Sequence, residues 1–425
     1  MNTEQLGKDE NAGEKLRIAY FTFSYSPFMT GIATGVHSRV KALLKFGHSV
    51  QLIHPLADHQ YLSVTKSRTM AGLEEFTDNP RFSSVTYPTR PHPLFRAHPE
   101  PRSFRHWSDT AILEAYRPNV VFVDEAAAMR GFTSLFFGGY GRAVGTDYSA
   151  KTGVPVFALF ETDWLYYGTR YLGRWFDTLS PPIVRPLTRR FVGKYSCMYF
   201  PSKAMHEKYL KSGAEPSMYV PFHGVDCSLF HPDNQSLDPI PDDHRPTLLF
   251  VGRMAKEKSV NELFEMIRIV RRDVPDAHLT ILGGGPEQSR VAAMAAENPD
   301  AVTFRGEAFG DQLRGWYACA DVFVNPSASE NFCTTNLEAL ASGTPLVAVS
   351  AGGNVEQVRE GCNGYLVEPG NPAAMAKRVT EVLKNDELRS AMSNNARTFA
   401  TQFDLVECGR HLEQAVFDYR NSVNR

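Results

Sequence analysis

Residues 326–349 read PSASENFCTTNLEALASGTPLVAV, and the assignment of this stretch decides the fold. It begins where an apolar run, ADVFVN at 320–325, stops, and that run reads as a buried strand. Ser327, Ser329 and Asn331 offer side-chain oxygens able to cap a helix. Leu337, Leu340 and Ala341 follow at helical spacing, and Ser342-Gly343 closes the helix. Leu346-Val347-Ala348-Val349 reads as the next strand. Strand, loop, helix, glycine stop and strand make one repeat of a parallel α/β sheet. Two carboxylates, Glu330 and Glu338, bracket the expected helix start. On one regular helix they stand about 2.2 turns apart along the axis and about a quarter turn apart around it. Loop, amides and paired acids lie at the carboxyl end of a strand, where open α/β sheets bind ligands.

The chain has 425 residues, enough for two domains with large cores. A net charge of −2 argues against an obligate nucleic-acid binder. Its six cysteines form no CxxC and no metal-like spacing, which suits reduced thiols in a cytosolic-type compartment. Residues 1–16 are polar and mixed in charge, without the apolar core of a signal peptide. No run approaches the ~20 apolar residues of a membrane span, so membrane contact is expected to be peripheral.

Working outward, the same alternation recurs. Residues 17–23 form a first strand, and 24–35 a loop containing Gly31 and Gly35. A helix follows, with Val36, Val40, Leu43 and Leu44 on one face and Gly47 at its end. That loop either presents a helix N-terminus to an anion or merely shapes a turn. Apolar strands at 120–123 and 154–160 end in Asp124-Glu125 and in Glu161-Thr162-Asp163-Trp164. Acids so placed are not expected in a core; they belong at the sheet edge, at a site or in solvated turns. Residues 81–107 read as an irregular, basic, proline-rich excursion, and 165–194 as an aromatic and basic stretch whose helix starts at Ser180-Pro181-Pro182. Each is either solvated surface or a contact with anionic lipid head groups. A linker rich in Pro and Asp spans 231–246. Beyond it come a strand at 247–251, the segment GRMAKEK, a helix at 259–272, a strand at 278–282 and Gly283-Gly284-Gly285-Pro286. The fold class is therefore α/β, with two similar domains at 1–235 and 246–404.

Arg253 and Lys258 lie between a strand and a helix, a fit place for two cations that hold a diphosphate. A departing diphosphate gains negative charge as its bond breaks, which such cations stabilise. Glu338 can accept hydrogen bonds from a ribose diol. Glu330 and the amides of Asn331, Phe332, Cys333 and Thr334 can bind sugar hydroxyls. Solvated carboxylates at a helix start are the plain alternative. The sequence has no DxD metal triad and no Walker loop. The three glycines do not form GxGxxG, and Ser329 lacks a GxSxG setting.

These features coincide in one pattern. Glu330 and Glu338, seven residues intervening, resemble the acidic motif of the retaining glycosyltransferase family GT4. Gly252-Arg253 with Lys258 resembles that family's GRxxxEK segment, Gly31 its amino-terminal glycine loop, and Gly224-Val225-Asp226 with Phe230 and Pro232 its linker segment. The resemblance implies the GT-B fold, two Rossmann-like domains facing across a cleft, with the last helix at about 405–425 crossing back to the first domain. It implies transfer from a nucleotide-sugar substrate, with no metal and no cofactor. Glu330, Arg253 and Lys258 then carry catalysis. Gly31, Arg253, Lys258, Asn331, Phe332, Cys333, Thr334 and Glu338 hold the donor. Where many relatives have histidines, this chain has Asp124 and Glu161. In that respect, and at Cys333-Thr334, it resembles digalactosyldiacylglycerol synthases, with sulfoquinovosyl-diacylglycerol synthases close behind at Ser26-Pro27-Phe28. That similarity implies a UDP-sugar, UDP-galactose, a lipid acceptor contacted by Asp124, Glu161 and Trp164, and a cytoplasmic enzyme peripheral to a membrane. A soluble acceptor, or binding of the sugar nucleotide without catalysis, remain as rival readings.

Overall fold

The computed structural model describes residues 14–23, 25, 31–56, 73–91, 99–101, 109–124, 143–163, 181–237 and 245–423. The first part of the chain supplies β1 (Arg17–Phe21), α1 (Gly31–Lys45), β2 (Ser49–Pro55), β3 (Phe82–Tyr87), β4 (Thr89–Pro91), β5 (Pro99–Pro101), α2 (Asp109–Tyr116), β6 (Val120–Asp124), α3 (Thr146–Thr152), β7 (Val156–Leu159), α4 (Pro181–Val192), β8 (Cys197–Phe200), α5 (Lys203–Lys211) and β9 (Ser217–Tyr219). Seven of these strands form a parallel sheet in the order β3-β2-β1-β6-β7-β8-β9. The second part supplies β10 (Thr247–Val251), α6 (Val260–Val270), β11 (His278–Leu282), α7 (Gln288–Ala296), β12 (Val302–Gly306), α8 (Gly310–Cys319), β13 (Val322–Asn325), α9 (Thr334–Ala341), β14 (Leu346–Val349), α10 (Asn354–Gln357), β15 (Gly364–Val367), α11 (Pro372–Leu383), α12 (Asp386–Ala400) and α13 (Leu405–Val423). Six strands form a second parallel sheet, β12-β11-β10-β13-β14-β15.

Both sheets are buried on both faces, which is why their central strands are continuous apolar runs. Every residue of β6, VVFVD, is buried, as is every residue of β11, HLTIL. Strand order reverses between β1 and β6 in one sheet and between β10 and β13 in the other. Each reversal opens a crevice at the strands' carboxyl ends. Asp124 ends β6 at the first of these points, and the loops bearing Arg253 and Glu330 leave β10 and β13 at the second.

Local chemistry sets several boundaries. Gly47, at φ +86°, closes α1 in the left-handed region that glycine adopts without strain. Asn371 and Asn385 cap α11 and α12, accepting from Ala374 N and Leu388 N. Two expectations need correction. Helix α1 begins at Gly31, whereas the sequence reading began it after Gly35. Gly35 lies inside the helix because a Cβ there would stand 3.0 Å from Arg39 Nη1; the glycine makes room for a buried guanidinium. Residues 81–107 are not irregular throughout, since β3 pairs with β2 over six positions and β4 pairs with β5. As an edge strand, β3 is half exposed and carries no apolar run to announce it.

The two domains are joined twice. The chain leaves the first through residues 220–232 and returns at 400–405, where α13 docks on α1. Val225 N donates to Phe403 O (2.9 Å) and Leu405 N to Val225 O (3.1 Å). Leu412, Ala415, Val416 and Phe417 of α13 bury themselves with Val36, Val40, Leu43 and Leu44 of α1. Gly409 permits the close approach: a Cβ there would lie 2.5 Å from Ala42 Cβ. Substitution Gly409→Leu is expected to force the helices apart, cost about 1–3 kcal/mol and lower the thermal midpoint by several degrees in a melt.

Candidate active site

On the second domain, β10 runs into Gly252-Arg253 and a short 3-10 turn, Lys256–Lys258, that leads into α6. Gly283 and Gly285 let the loop after β11 pack against this one. A Cβ on Gly283 would fall 1.9 Å from Gly252 O, and one on Gly285 2.6 Å from Met254 O. The glycine run thus serves loop packing. Arg253 is exposed. Lys258 Nζ donates to Glu330 Oε1 at 2.6 Å across 72 residues of sequence.

The loop after β13 carries Glu330. The expected capping by Ser327, Ser329 or Asn331 is overturned: α9 starts at Thr334 behind Cys333, with no side-chain cap. Glu330 therefore stands in the loop, and the quarter-turn relation to Glu338 does not apply. Ser327 Oγ instead accepts from Ser329 N and donates to Glu257 O. The loop is held by buried amides that the sequence reading missed. Asn325 Nδ2 donates to Asn336 Oδ1 (2.9 Å), and Asn336 Nδ2 to Asn354 Oδ1 (2.9 Å) and Gln357 Oε1 (2.8 Å). Gln357 Nε2 donates to Cys333 O, and Asn354 Nδ2 to Ser327 O and Val349 O. Gly352 and Gly353 press on the same loop, and Gly353 N donates to Glu330 O at 2.7 Å. A Cβ on Gly352 would meet Glu330 O at 2.1 Å. The available signal was Asn336 itself, a polar residue adjoining the apolar stripe of α9.

Glu338 is not a solvated helix-start acid. It lies mostly enclosed beside Tyr317, whose Oη donates to Glu338 Oε2 at 2.6 Å. Burial pushes its carboxyl up to about 7, with the tyrosine bond opposing. Phe332 and Cys333 are buried, so their side chains pack inward and leave the loop's backbone as its polar surface.

On the first domain, the expectation that the acids after β6 and β7 avoid the core is overturned. Asp124 and Glu161 are buried. Arg39 makes this tolerable: its Nη2 donates to Asp124 Oδ1 (3.1 Å) and Glu161 Oε1 (2.5 Å), and its Nε to Tyr20 Oη (2.8 Å). Burial drives Glu161 upward, but the charge of Arg39, with His223 and Asp124, brings it below the ordinary carboxyl value. His223 Nε2 lies 3.6 Å from Glu161 Oε2. Burial pushes this imidazole down to about 4, against the pull of Glu161. Arg39 carried no sequence signal beyond its type, and His223 only its place directly before Gly224-Val225-Asp226 in the linker segment. Two contacts join this cluster to the Glu330 loop: Asn331 Nδ2 donates to Glu161 O (2.5 Å), and His223 stacks on Phe332 with centroids 6.2 Å apart. Gly31 is the first residue of α1. Trp164 lies outside the described residues, as do 165–180. Among the described residues, no group of three or more His, Cys, Asp and Glu side chains could hold a metal ion, and no helix is long and apolar enough to cross a membrane.

Two all-parallel Rossmann-like domains joined in this way make the GT-B fold. Sucrose-phosphate synthase from Thermosynechococcus elongatus superposes with a TM-score of 0.71 at 19% identity, over 96% of this chain and 100% of that one. Residues 235–399, most of the second domain, match the family of glycosyl transferases group 1. Sulfoquinovosyl transferase SQD2 of Arabidopsis thaliana is 29% identical over 261 residues, 59% of this chain and 49% of that protein. The GDP-mannose-dependent alpha-(1-6)-phosphatidylinositol monomannoside mannosyltransferase of Mycobacterium tuberculosis is 30% identical over 235 residues, 52% of this chain and 61% of that protein. The aligned part thus spans about half to three-fifths of these two relatives.

The His223 environment makes stability depend on pH. Its folded value, about 4, lies below the ordinary 6.5. Between these values the unfolded chain binds the proton that the folded site refuses, so stability present above about 6.5 is lost as pH falls toward 4. Replacement His223→Gln should flatten that slope, by up to about 3 kcal/mol, in denaturant titrations at pH 4.5 and 7.

Proposed function

We propose that this protein is a retaining, metal-independent hexosyltransferase that moves a sugar from a nucleotide-sugar to a glycolipid. The observation that carries the reading is the Lys258–Glu330 pair, 2.6 Å apart at the ends of adjacent strands β10 and β13. A donor arriving there would place its diphosphate on Lys258 and Arg253 and its sugar against Glu330 and the amides of Asn331, Phe332, Cys333 and Thr334. Glu338 would accept from the ribose diol, and Gly31 would let the opposing backbone approach the phosphate. As the glycosidic bond lengthens, charge grows on the diphosphate and the two cations stabilise it. The acceptor hydroxyl attacks from the same face and passes its proton to the departing phosphate oxygen. No protein base is required. Asp124 lies too deep to touch an acceptor, so its part is to fix Arg39 and, through it, Glu161; Trp164 and Glu161 remain the acceptor-side assignments.

For the donor we favour UDP-galactose, with monogalactosyldiacylglycerol as acceptor. GDP-mannose is the second reading, favoured by the dependence stated in the name of the mycobacterial relative. That name also specifies a phosphatidylinositol mannoside, which supports a lipid acceptor. Exposed Arg185, Arg189 and Arg190 on α4 supply cations for peripheral attachment to an anionic membrane face. Residues 81–107 are assigned the same role.

Labelled UDP-galactose, GDP-mannose and UDP-sulfoquinovose incubated with membrane lipids, with products identified by mass, test the reading. A glycolipid product with retained configuration is expected. A free disaccharide points to a soluble acceptor, and equal inactivity of wild type and Glu330→Ala across all donors sinks the enzyme assignment. Substitution Lys258→Ala is expected to lower kcat about 10²–10³-fold, read by initial rates. Donor affinity should rise as pH passes upward through about 7, because Glu338 then gains its full accepting capacity. Calorimetric titration at pH 6 and 8 should show that rise in wild type and its loss in Glu338→Gln.

A further inference from the structure

A helix of the first domain is capped by a carboxylate of the second. The first-turn amides of α5 have no partners within the helix. One is served locally: Met205 N donates to Ser202 Oγ (3.2 Å), while His206 N makes the first bond of the helix ladder, to Ser202 O (3.0 Å). Two more cross to the opposite domain, where Lys203 N donates to Glu356 Oε2 (3.1 Å) and Ala204 N to Glu356 Oε1 (3.0 Å). One carboxylate straddles both amides, at the positive end of the helix dipole. Lys203 Nζ lies over the Tyr219 ring at 5.6 Å, which keeps the lysine engaged within its own domain.

Glu356 is also rigidly tied to the donor loop. It belongs to α10, whose Asn354 and Gln357 clamp Ser327 O and Cys333 O. Just before α10, Gly353 N holds Glu330 O at 2.7 Å. Movement of Glu356 therefore carries Glu330 with it. From these contacts we infer that Glu356 is a positioning residue: by capping α5 it fixes the Glu330 loop relative to the acceptor domain. Asn331, bonded to Glu161 O, anchors the same loop to the first domain at a second point. Both bonds are made to backbone groups that water can serve equally well once the domains part, so the grip is reversible. This inference rests on the donor-loop reading above.

The test is amide hydrogen exchange on the full chain, compared among wild type, Glu356→Ala and Glu356→Gln, with transfer rates measured beside it. In Glu356→Ala, exchange at Lys203 and Ala204 should quicken about tenfold, and exchange across 330–334 should quicken with it. Met205 and His206, served by Ser202, should change little. Glu356→Gln keeps one accepting oxygen and should recover part of both effects. The transfer rate kcat should fall about tenfold in Glu356→Ala, with donor affinity nearly unchanged. Unchanged exchange in α5 overturns the inference, and so does an effect confined to α5, because Glu356 would then be a local cap. Wild type that transfers no sugar would count against the transferase reading alone; the reach of the exchange effect into 330–334 still decides the positioning role.

Discussion

An irregular loop can stand at the end of a buried strand only if its polar backbone finds partners. In this protein four amide side chains supply them. Asn325, Asn336, Asn354 and Gln357 are each at most 2% exposed and come from β13, α9 and α10. An amide both donates and accepts, so each can close more than one gap in the same network. Loop, helix start and glycine pair consequently behave as one piece. Such a network is stabilising when complete and costly when one member is missing. The carboxylate of Glu330 is presented to the cleft by this scaffold, and Gly352 leaves no room for any side chain that would disturb it.

The first domain solves a different problem at the matching place. Two acids stand buried at the ends of adjacent strands, and one guanidinium from α1 serves both. Burying charges in this way gains little net stability, but it makes the arrangement intolerant of a missing partner. Its position gives it wider reach. Glu161 accepts from Asn331 through its backbone, and His223, on the segment leading to the second domain, lies between Glu161 and Phe332. The charge cluster and the amide network are therefore in contact, one on each side of the gap between the sheets.

The strands at 247–251 and 278–282 were legible because each is a largely apolar, almost fully buried run between turn residues, and their ends fall where the sequence places them. The edge strand β3 was not, since half-exposed strands owe their existence to a neighbour's hydrogen bonds. Glu330 and Lys258 could each be singled out, but their contact depends on β10 lying beside β13, which is a property of strand order. Arg39 was illegible for a plainer reason. An arginine on a helix usually reaches water, and nothing local distinguishes one aimed at two acids that arrive 85 and 122 residues later. The buried amides share that difficulty. Their partners are one another and the backbone groups of a loop whose path the sequence does not specify.

Two chain passages run side by side between the domains, at 220–232 and 400–405, and Val225 is hydrogen-bonded to both Phe403 and Leu405. A door hung on a single pin can swing and twist; one hung on two can swing about the line through them and little else. Paired in this way, the passages resist torsion while leaving bending free. Any opening of the two sheets about this line would return them to the same alignment, so the faces that meet on closing would be the same ones. Severing either passage would turn a hinge into a swivel.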